Sequence, residues 1–229
     1  MRIGGLQKFS LIDYPGKISA IIFTQGCLFR CHYCHNAELV DPLLFTDPIP
    51  VSEVLSFLEE RKGKLDGVVI TGGEPTIQHD LLEFMETIKK LGFLIKLDTS
   101  GVRPDVVKEA VKQNLVDYFA MDIKAPLAKY PKVVGKEVDT EKIWESILFI
   151  MDSGIDYEFR TTIVAGLLER DDILEIGNLI KGAKRYALQQ FIPDRTLHAD
   201  YRQKMGFSTA ELEGLRHEVG ELVGECLVR

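Results

Sequence analysis

The chain has 229 residues, and 35 Asp plus Glu against 28 Lys plus Arg give it a formal net charge of −7. This acidic balance argues against nucleic acid or an anionic membrane as a partner, because both select basic surfaces. No apolar run reaches the roughly 20 residues that span a bilayer, and the first ten residues, MRIGGLQKFS, lack the features of a signal peptide. The composition predicts a cytoplasmic protein.

Short apolar runs rich in β-branched residues alternate along the chain with longer helical patterns. The runs predict six strands, at 18–24, 67–71, 93–98, 117–123, 157–164 and 187–192. The longer patterns predict helices at 51–62, 79–91, 104–114, 139–152, 171–183 and 208–227. Ser52 and Ser208 are predicted to cap two of these helices, and Pro104 is predicted to begin a third.

Strands that each lead into a helix predict a parallel α/β sheet, either a partial barrel or an open doubly wound sheet. The length and the absence of linkers predict a single domain, 1–229. Within it we expect an N-terminal extension (1–17), a barrel core (18–195) and a C-terminal loop and helix (196–229).

Three of the four cysteines lie in the stretch 26–36, GCLFRCHYCHN. Taken alone, these residues allow several interpretations. Cys31, Cys34 and His35 match a c-type haem attachment pattern, and C-x-x-C is also a redox dithiol pattern. Three thiolates with His32 or His35 would form a zinc site. Without an exported setting, cysteines at ligand spacing indicate metal binding or catalysis more than disulfides.

Polar residues follow the predicted strands. The cysteines follow the first strand, Gly72-Gly73-Glu74-Pro75 the second, and Asp98 and Asp122 lie at the ends of the third and fourth. Parallel α/β folds build their active sites at the carboxyl ends of their strands. The two carboxylates are therefore predicted to be functional. Cys226, near the C-terminus, is predicted to be a small buried hydrophobe.

The C-x3-C-x2-C spacing, with Tyr33 before the third cysteine, resembles the cluster motif of the radical S-adenosylmethionine superfamily, and Gly72-Gly73-Glu74 resembles its second motif. The resemblance implies a partial (βα)6 barrel. It also implies a 4Fe-4S cluster held by three thiolates, which leaves one iron open for S-adenosylmethionine. The cluster ligands would be Cys27, Cys31 and Cys34.

The same resemblance implies that Tyr33 lies near the adenine of S-adenosylmethionine. Gly72, Gly73 and Glu74 would meet the amino group of its methionine part. Because three thiolates suffice for the cluster, His32 and His35 are predicted to be loop residues. No catalytic side chain is expected beyond the cluster and the cosubstrate.

Segments 13–36, 97–101 (LDTSG) and 121–124 (MDIK) resemble the glycyl radical enzyme activases. GGLQKFSLIDYPG, at 4–16, most resembles the activating proteins of anaerobic ribonucleoside-triphosphate reductase, although Tyr14 stands where many activases have Gly. The implied reaction removes a hydrogen from a backbone glycine of a partner enzyme. Electrons would come from an external donor such as flavodoxin or ferredoxin.

The activase resemblance implies further site residues. Asp98, Thr99 and Asp122 would surround the carboxylate of the cosubstrate, Lys124 would neutralise it, and Arg160 would lie nearby. For Arg160 a structural salt bridge is an equal alternative. Because two buried carboxylates beside a third need positive charge, a bound monovalent cation is hypothesised between Asp98 and Asp122. The resemblance also places Asp13 and Gly16 near the target peptide.

Two other functions stay open at this point. One is a radical S-adenosylmethionine enzyme acting on a small molecule, such as a deazapurine precursor. The other is a non-catalytic zinc or redox module. His198 is predicted to be a solvated loop residue, because one histidine without a partner is a weak functional signal.

Overall fold

The computed structural model describes residues 1–229 and places eight strands side by side in one sheet, in chain order. The strands are β1 Ile3–Ser10, β2 Ser19–Thr24, β3 Gly67–Gly72, β4 Leu94–Thr99, β5 Tyr118–Asp122, β6 Asp156–Ile163, β7 Tyr186–Gln190 and β8 Cys226–Val228. β1 runs antiparallel to β2, and every later pair is parallel. The strand order does not reverse as it does in a doubly wound sheet, and the first and last strands do not pair, so the sheet is a partial barrel, as predicted.

Eight α-helices connect or cover the strands. They are α1 Ala37–Val40, α2 Val51–Glu60, α3 Leu81–Lys90, α4 Pro104–Lys112, α5 Tyr130–Val134, α6 Thr140–Asp152, α7 Arg170–Leu179 and α8 Thr209–Gly220. Parallel neighbours need such crossovers, because a tight turn can only join antiparallel strands. No helix combines the length and apolar character needed to cross a membrane.

All six predicted strands are present, and two further strands extend the sheet. β1 lies in the predicted N-terminal extension. β8 lies in the predicted helix 208–227, which is wrong after Gly220. The chain turns after Gly220 and then passes so close to Lys184 that a Cβ at Gly224 would lie 2.9 Å from its carbonyl oxygen, so glycine is needed at this position. Residues 226–228 then pair with β7.

The predicted helix starts have mixed outcomes. Ser208 caps α8 in a capping box with Glu211, and Pro104 is the first residue of α4. The predicted Ser52 cap is wrong, because α2 begins at Val51 and Pro50 takes the N-cap position. The short helices α1 and α5 have too few residues to produce a periodic pattern.

The inner face of the sheet changes character along the barrel. Most of the apolar core lies outside the barrel, between sheet and helices. Inside, at the amino ends of the strands, Ile21, Val69 and Tyr118 form a small cluster with Tyr14 from the β1–β2 loop. Alternate residues of a strand face the same side, so this inner face continues to the carboxyl ends of the strands. Near the carboxyl ends its side chains are polar and charged.

Candidate active site

The carboxyl ends of the parallel strands surround a cavity of about 240 Å³. Its walls contain every cofactor and cluster residue predicted from the sequence: Cys27, Cys31, Tyr33, Cys34, Gly72, Gly73, Glu74, Asp98, Thr99, Asp122, Lys124 and Arg160. Eight further lining residues are not among the predicted cofactor and cluster residues: Phe29, His35, Asn36, Val40, Thr71, Ser100, Thr162 and Gln189. Six different strands thus deliver their terminal side chains to one place.

The three cysteines of the loop between β2 and α1 are free and mostly buried. Burial raises the pKa of the Cys27 thiol to about 12 and that of Cys31 to about 11, and it also raises the pKa of Cys34. Thiolates in such surroundings need a bound cationic centre to stabilise their charge. No three His, Cys, Asp or Glu side chains converge on a point where a single metal ion could be held. A 4Fe-4S cluster would take each of the three thiolates on a different iron.

A segment after β7 holds this cysteine loop in place. The backbone N–H groups of Leu197 and His198 donate to the carbonyls of Cys34 and His32, both at 3.0 Å. The ring of His198 stacks on that of His32, with centroids 4.0 Å apart. His198, predicted to be a solvated loop residue, is exposed but has this ring as a partner.

His35 also contacts the segment after β7. Its Nε2 lies 2.7 Å from the carbonyl oxygen of Ile192, and its ring stacks on Phe191. Tyr33 packs edge-on against the same Phe191 ring. Both histidine rings of the cysteine loop therefore have structural partners.

The two glycines after β3 allow that strand to approach the cysteine loop. Gly72 has φ of +114°, and a Cβ there would lie 2.4 Å from the Thr24 backbone nitrogen. A Cβ at Gly73 would lie 2.1 Å from the Gly26 carbonyl oxygen. The Glu74 N–H donates to that same oxygen at 2.8 Å. Neither position can carry a side chain, which gives a packing reason for the Gly-Gly pair.

Glu74 is a buried carboxylate surrounded by neutral donors. Its Oε1 accepts from the Thr99 hydroxyl at 2.7 Å and from the backbone and hydroxyl of Thr76. Its Oε2 accepts from the backbone and hydroxyl of Ser100. Its side chain forms no salt bridge, so its negative charge has no cationic partner within the chain.

Asp98 and Asp122 belong to a chain of alternating charges. Lys96 Nζ donates to Asp98 Oδ1 at 2.5 Å, and Arg160 Nη1 donates to Asp98 Oδ2 at 3.0 Å. Arg160 Nε also donates to Asp122 Oδ1 at 2.8 Å, and Lys124 Nζ donates to Asp122 Oδ2 at 3.0 Å. Each oxygen of both carboxylates therefore has a cationic donor.

The charges in this chain control each other's ionisation. Burial opposes ionisation of Asp122, but the charges of Arg160 and Lys124 outweigh it and hold the pKa of that carboxyl well below its ordinary value. Burial likewise disfavours the charged Arg160, but Asp122 and Asp98 raise its pKa. The ion pairs thus favour the charged forms of both Asp122 and Arg160.

Lys96 is not among the predicted site residues. It lies two residues before Asp98 on β4, so the two side chains face the same side of the sheet. The sequence feature that could have identified it is a lysine inside an otherwise apolar, buried strand, because a charged residue is rare at such a position unless it is paired.

Asp13 and Gly16 lie away from this cavity. Because β1 is antiparallel to β2, the loop between them lies at the amino ends of the strands, the opposite end of the barrel. There Asp13 accepts a hydrogen bond from the Ser10 hydroxyl. Tyr14 and Pro15 of this loop line a second cavity, together with Tyr118. The proposed contact of Asp13 and Gly16 with a target peptide stays a prediction.

A partial parallel barrel with three free thiols and a charged cavity at its carboxyl end is the architecture of a radical S-adenosylmethionine enzyme. The family model "Radical SAM superfamily" matches residues 21–180. The chain belongs to this superfamily. Membership implies a 4Fe-4S cluster and S-adenosylmethionine, and the three thiols and the cavity fit both.

Sequence relatives identify the group within the superfamily. A protein of Methanocaldococcus jannaschii, provisionally named a glycyl-radical enzyme activating enzyme, is 36% identical over 206 residues, which cover 88% of this chain and 84% of the relative. The pyruvate formate-lyase-activating enzyme of Clostridium pasteurianum is 26% identical, with 95% of this chain and 92% of that one covered. These relatives confirm the resemblance to the activase group.

Solved structures agree on the fold. SuiB of Streptococcus suis, in a crystal structure with S-adenosylmethionine, superposes with a TM-score of 0.71 at 15% identity, covering 91% of this chain but only 49% of SuiB. This chain thus spans about half the length of that protein. A domain of a pyruvate-formate lyase-activating enzyme from Bacteroides vulgatus superposes with a TM-score of 0.57 at 16% identity, covering 71% of this chain and 98% of that domain.

Proposed function

We propose that this protein activates a glycyl radical enzyme. It reductively cleaves S-adenosylmethionine and removes a hydrogen from one backbone glycine of its partner. The partner we propose is the large chain of anaerobic ribonucleoside-triphosphate reductase. The similarity to activating enzymes over nearly the whole chain supports the reaction class, and the resemblance of residues 4–16 to the reductase activators supports the partner.

The observation that carries the proposal is the separation of charge in the cavity. On one side, the Glu74 carboxylate has no cationic partner in the chain. On the other, Arg160 and Lys124 in the cavity wall, together with Lys96 behind Asp98, outnumber the carboxylates Asp98 and Asp122, which leaves one excess positive charge. The amino-acid part of S-adenosylmethionine carries one ammonium and one carboxylate. The cavity therefore has a complementary charge for each of them.

The hydrogen bonds of Glu74 argue against a direct hydrogen bond between its carboxylate and the ammonium group of S-adenosylmethionine. Five donors from Thr76, Thr99 and Ser100 already occupy its two oxygens. A carboxylate offers about four lone-pair sites, so little capacity is left for an ammonium hydrogen bond. Glu74 would instead supply negative charge through space and fix the two threonines and the serine around the ligand.

When bound at Cys27, Cys31 and Cys34, a reduced 4Fe-4S cluster supplies the electron that breaks the carbon–sulfur bond of S-adenosylmethionine. The chain's own part is binding and orientation. Lys124 and Arg160 hold the carboxylate end, and Tyr33 packs on the wall where the adenine would lie. The buried walls exclude water from the reactive carbon.

Electrons would reach this chain from outside, from flavodoxin or ferredoxin. Besides the three cluster cysteines the chain has only Cys226, which is buried in β8, so there are too few thiols for a second cluster. The hypothesised monovalent cation is not part of this proposal, because the carboxylates it would neutralise already have cationic partners.

The proposal is tested with the partner present. The cluster is rebuilt with iron and sulfide without oxygen, dithionite and S-adenosylmethionine are added, and 5'-deoxyadenosine and the EPR spectrum of the reductase large chain are recorded. We expect deoxyadenosine together with a glycyl doublet. A reductase in which the C-terminal glycine is replaced by alanine is the matched control and should give no doublet.

The outcomes separate the parts of the proposal. Deoxyadenosine without a doublet on the reductase would reject this partner, and the same assay is then repeated with other glycyl radical enzymes. Deoxyadenosine with no glycyl signal on any of them would point to a small-molecule substrate. A chain that binds no cluster would reject the proposed function.

A further inference from the structure

The ion chain of the cavity has one member that does not touch the cavity. Asp98, Asp122, Lys124 and Arg160 line it, whereas Lys96 does not. The Lys96 side chain is 3% exposed, and its only polar partner is Asp98 Oδ1. A lysine so deeply buried needs a reason, because removing an ammonium from water is costly unless an opposite charge compensates.

The oxygens that would bind a monovalent cation each already accept a hydrogen bond from a cationic side chain. A cation between Asp98 and Asp122 would need their carboxylate oxygens as ligands, since oxygen is the donor that such ions take. All four of these oxygens accept hydrogen bonds from Lys96, Arg160 or Lys124 at 2.5 to 3.0 Å. Each oxygen keeps a second lone pair, but a cation bound there would lie beside three cationic side chains that repel it, so the site as built does not suit an additional cation.

The charge count leads to the same conclusion. Three cationic side chains and two carboxylates leave a charge of +1, which one incoming carboxylate neutralises. An added monovalent ion would raise that charge to +2. Without Lys96 the same residues would sum to zero, one Asp98 oxygen would become free, and the carboxylate of the cosubstrate would enter uncompensated.

We propose that Lys96 is a built-in substitute for a monovalent cation: it completes the charge of the S-adenosylmethionine site through Asp98, so cosubstrate binding is independent of sodium and potassium. This inference rests on the proposed use of S-adenosylmethionine. Lys96 is a positioning residue, because it acts through Asp98 and Arg160 and contacts neither the cosubstrate nor the cluster. Its ammonium binds Asp98 Oδ1 and so holds Oδ2 of the same carboxylate directed at Arg160, which faces the cavity.

The experiment measures binding. The dissociation constant of S-adenosylmethionine is determined for the cluster-loaded protein in potassium, sodium or tetramethylammonium chloride at equal ionic strength, from the change in the EPR spectrum of the reduced cluster. For the unchanged chain we expect the same constant, within about twofold, in all three salts. A dissociation constant about tenfold larger in tetramethylammonium chloride than in the potassium or sodium salt would overturn the inference.

Variants make the test sharper. Lys96→Met keeps the length of the side chain without its charge. It should bind about tenfold more weakly in tetramethylammonium, and potassium or sodium should restore most of that loss. Lys96→Arg should remain indifferent to the salt. Equal binding by Lys96→Met and the unchanged chain in every salt would also overturn the inference.

Lys89→Met is the matched control. Lys89 also pairs with an aspartate, Asp117, but near the amino ends of the strands and outside the cavity. The Lys89→Met variant should bind S-adenosylmethionine as the unchanged chain does in all three salts. If Lys96→Met does not fold, the salt series on the unchanged chain still decides. A chain that binds no S-adenosylmethionine in any salt would reject the proposed function itself, a result distinct from binding that depends on the cation.

Discussion

The two ends of the barrel treat charge in opposite ways. At the amino end charges form simple pairs: Arg229 binds Glu158 through two hydrogen bonds of 2.9 and 2.7 Å, and Lys89 of α3 binds Asp117, which precedes β5. At the carboxyl end three cations share two carboxylates, and Glu74 has no cationic partner. Matched pairs need nothing further, whereas an unbalanced set is completed by a ligand.

Packing shows the same contrast. At the amino end the rings of Tyr14 and Tyr118, whose centroids lie 5.9 Å apart, pack with Ile21 and Val69 and line the second cavity. The carboxyl end keeps a cavity lined by thiols and charged groups. We conclude that the amino end stabilises the barrel and the carboxyl end is built around a charged ligand. The following predictions test this division.

Removing a cluster ligand should have the largest effect. Cys31→Ala should bind no stable 4Fe-4S cluster and form no 5'-deoxyadenosine, because two thiolates cannot hold the cluster. The measurement is iron and sulfide content after anaerobic reconstitution. Cys226→Ala, which removes the cysteine of β8, is the control and should keep the cluster. Full iron and sulfide in Cys31→Ala would contradict the assignment.

Two arginines separate the ends most directly. Arg160→Gln should weaken S-adenosylmethionine binding by about tenfold or more, because it removes the charge shared by Asp98 and Asp122. Arg229→Gln should leave binding within about twofold but lower the free energy of unfolding by about 2 kcal/mol, because Glu158 loses its partner. Binding titration and urea unfolding measure the two effects. Weaker S-adenosylmethionine binding by Arg229→Gln would contradict the division between a stabilising amino end and a ligand-binding carboxyl end.

The tyrosine at the amino end should affect stability alone. Tyr14→Ala should lower the free energy of unfolding by about 3 kcal/mol, because it leaves a void beside Tyr118. Tyr14→Phe keeps the ring and should change that free energy by less than about 0.5 kcal/mol. Urea unfolding measures both, and S-adenosylmethionine binding by the folded variants should stay unchanged. Equal destabilisation by both variants would show that the hydroxyl, and not the ring, is what matters.

The smallest effect concerns pH. The pKa of Asp122 is lower in the folded chain than its ordinary value of 3.8. Its ionised form therefore stabilises the fold above that pH, and the contribution is lost as the pH falls below it. The gap in unfolding free energy between the unchanged chain and Asp122→Asn should be largest at neutral pH and shrink below about pH 4. A gap that stays constant from pH 7 to pH 3 would contradict the ion chain.

The sequence alone determined the parallel framework and the location of the site. Six strands could be predicted because runs of apolar β-branched residues are a local property of the sequence. The cysteine spacing, the Gly-Gly-Glu motif and the aspartates at strand ends are also local, so they could be assigned without coordinates. β1 and β8 were not visible, because an edge strand is decided by the neighbour it pairs with and not by its own composition.

Only the tertiary structure decided which side chains of the site contact each other. Lys96 and Arg160 lie 64 positions apart in the chain and meet at Asp98 only because β4, β5 and β6 are adjacent in the sheet. The donors around Glu74 likewise come from the ends of β3 and β4. Electrostatic balance depends on which charges lie within a few ångströms of each other, and no sequence pattern specifies those distances.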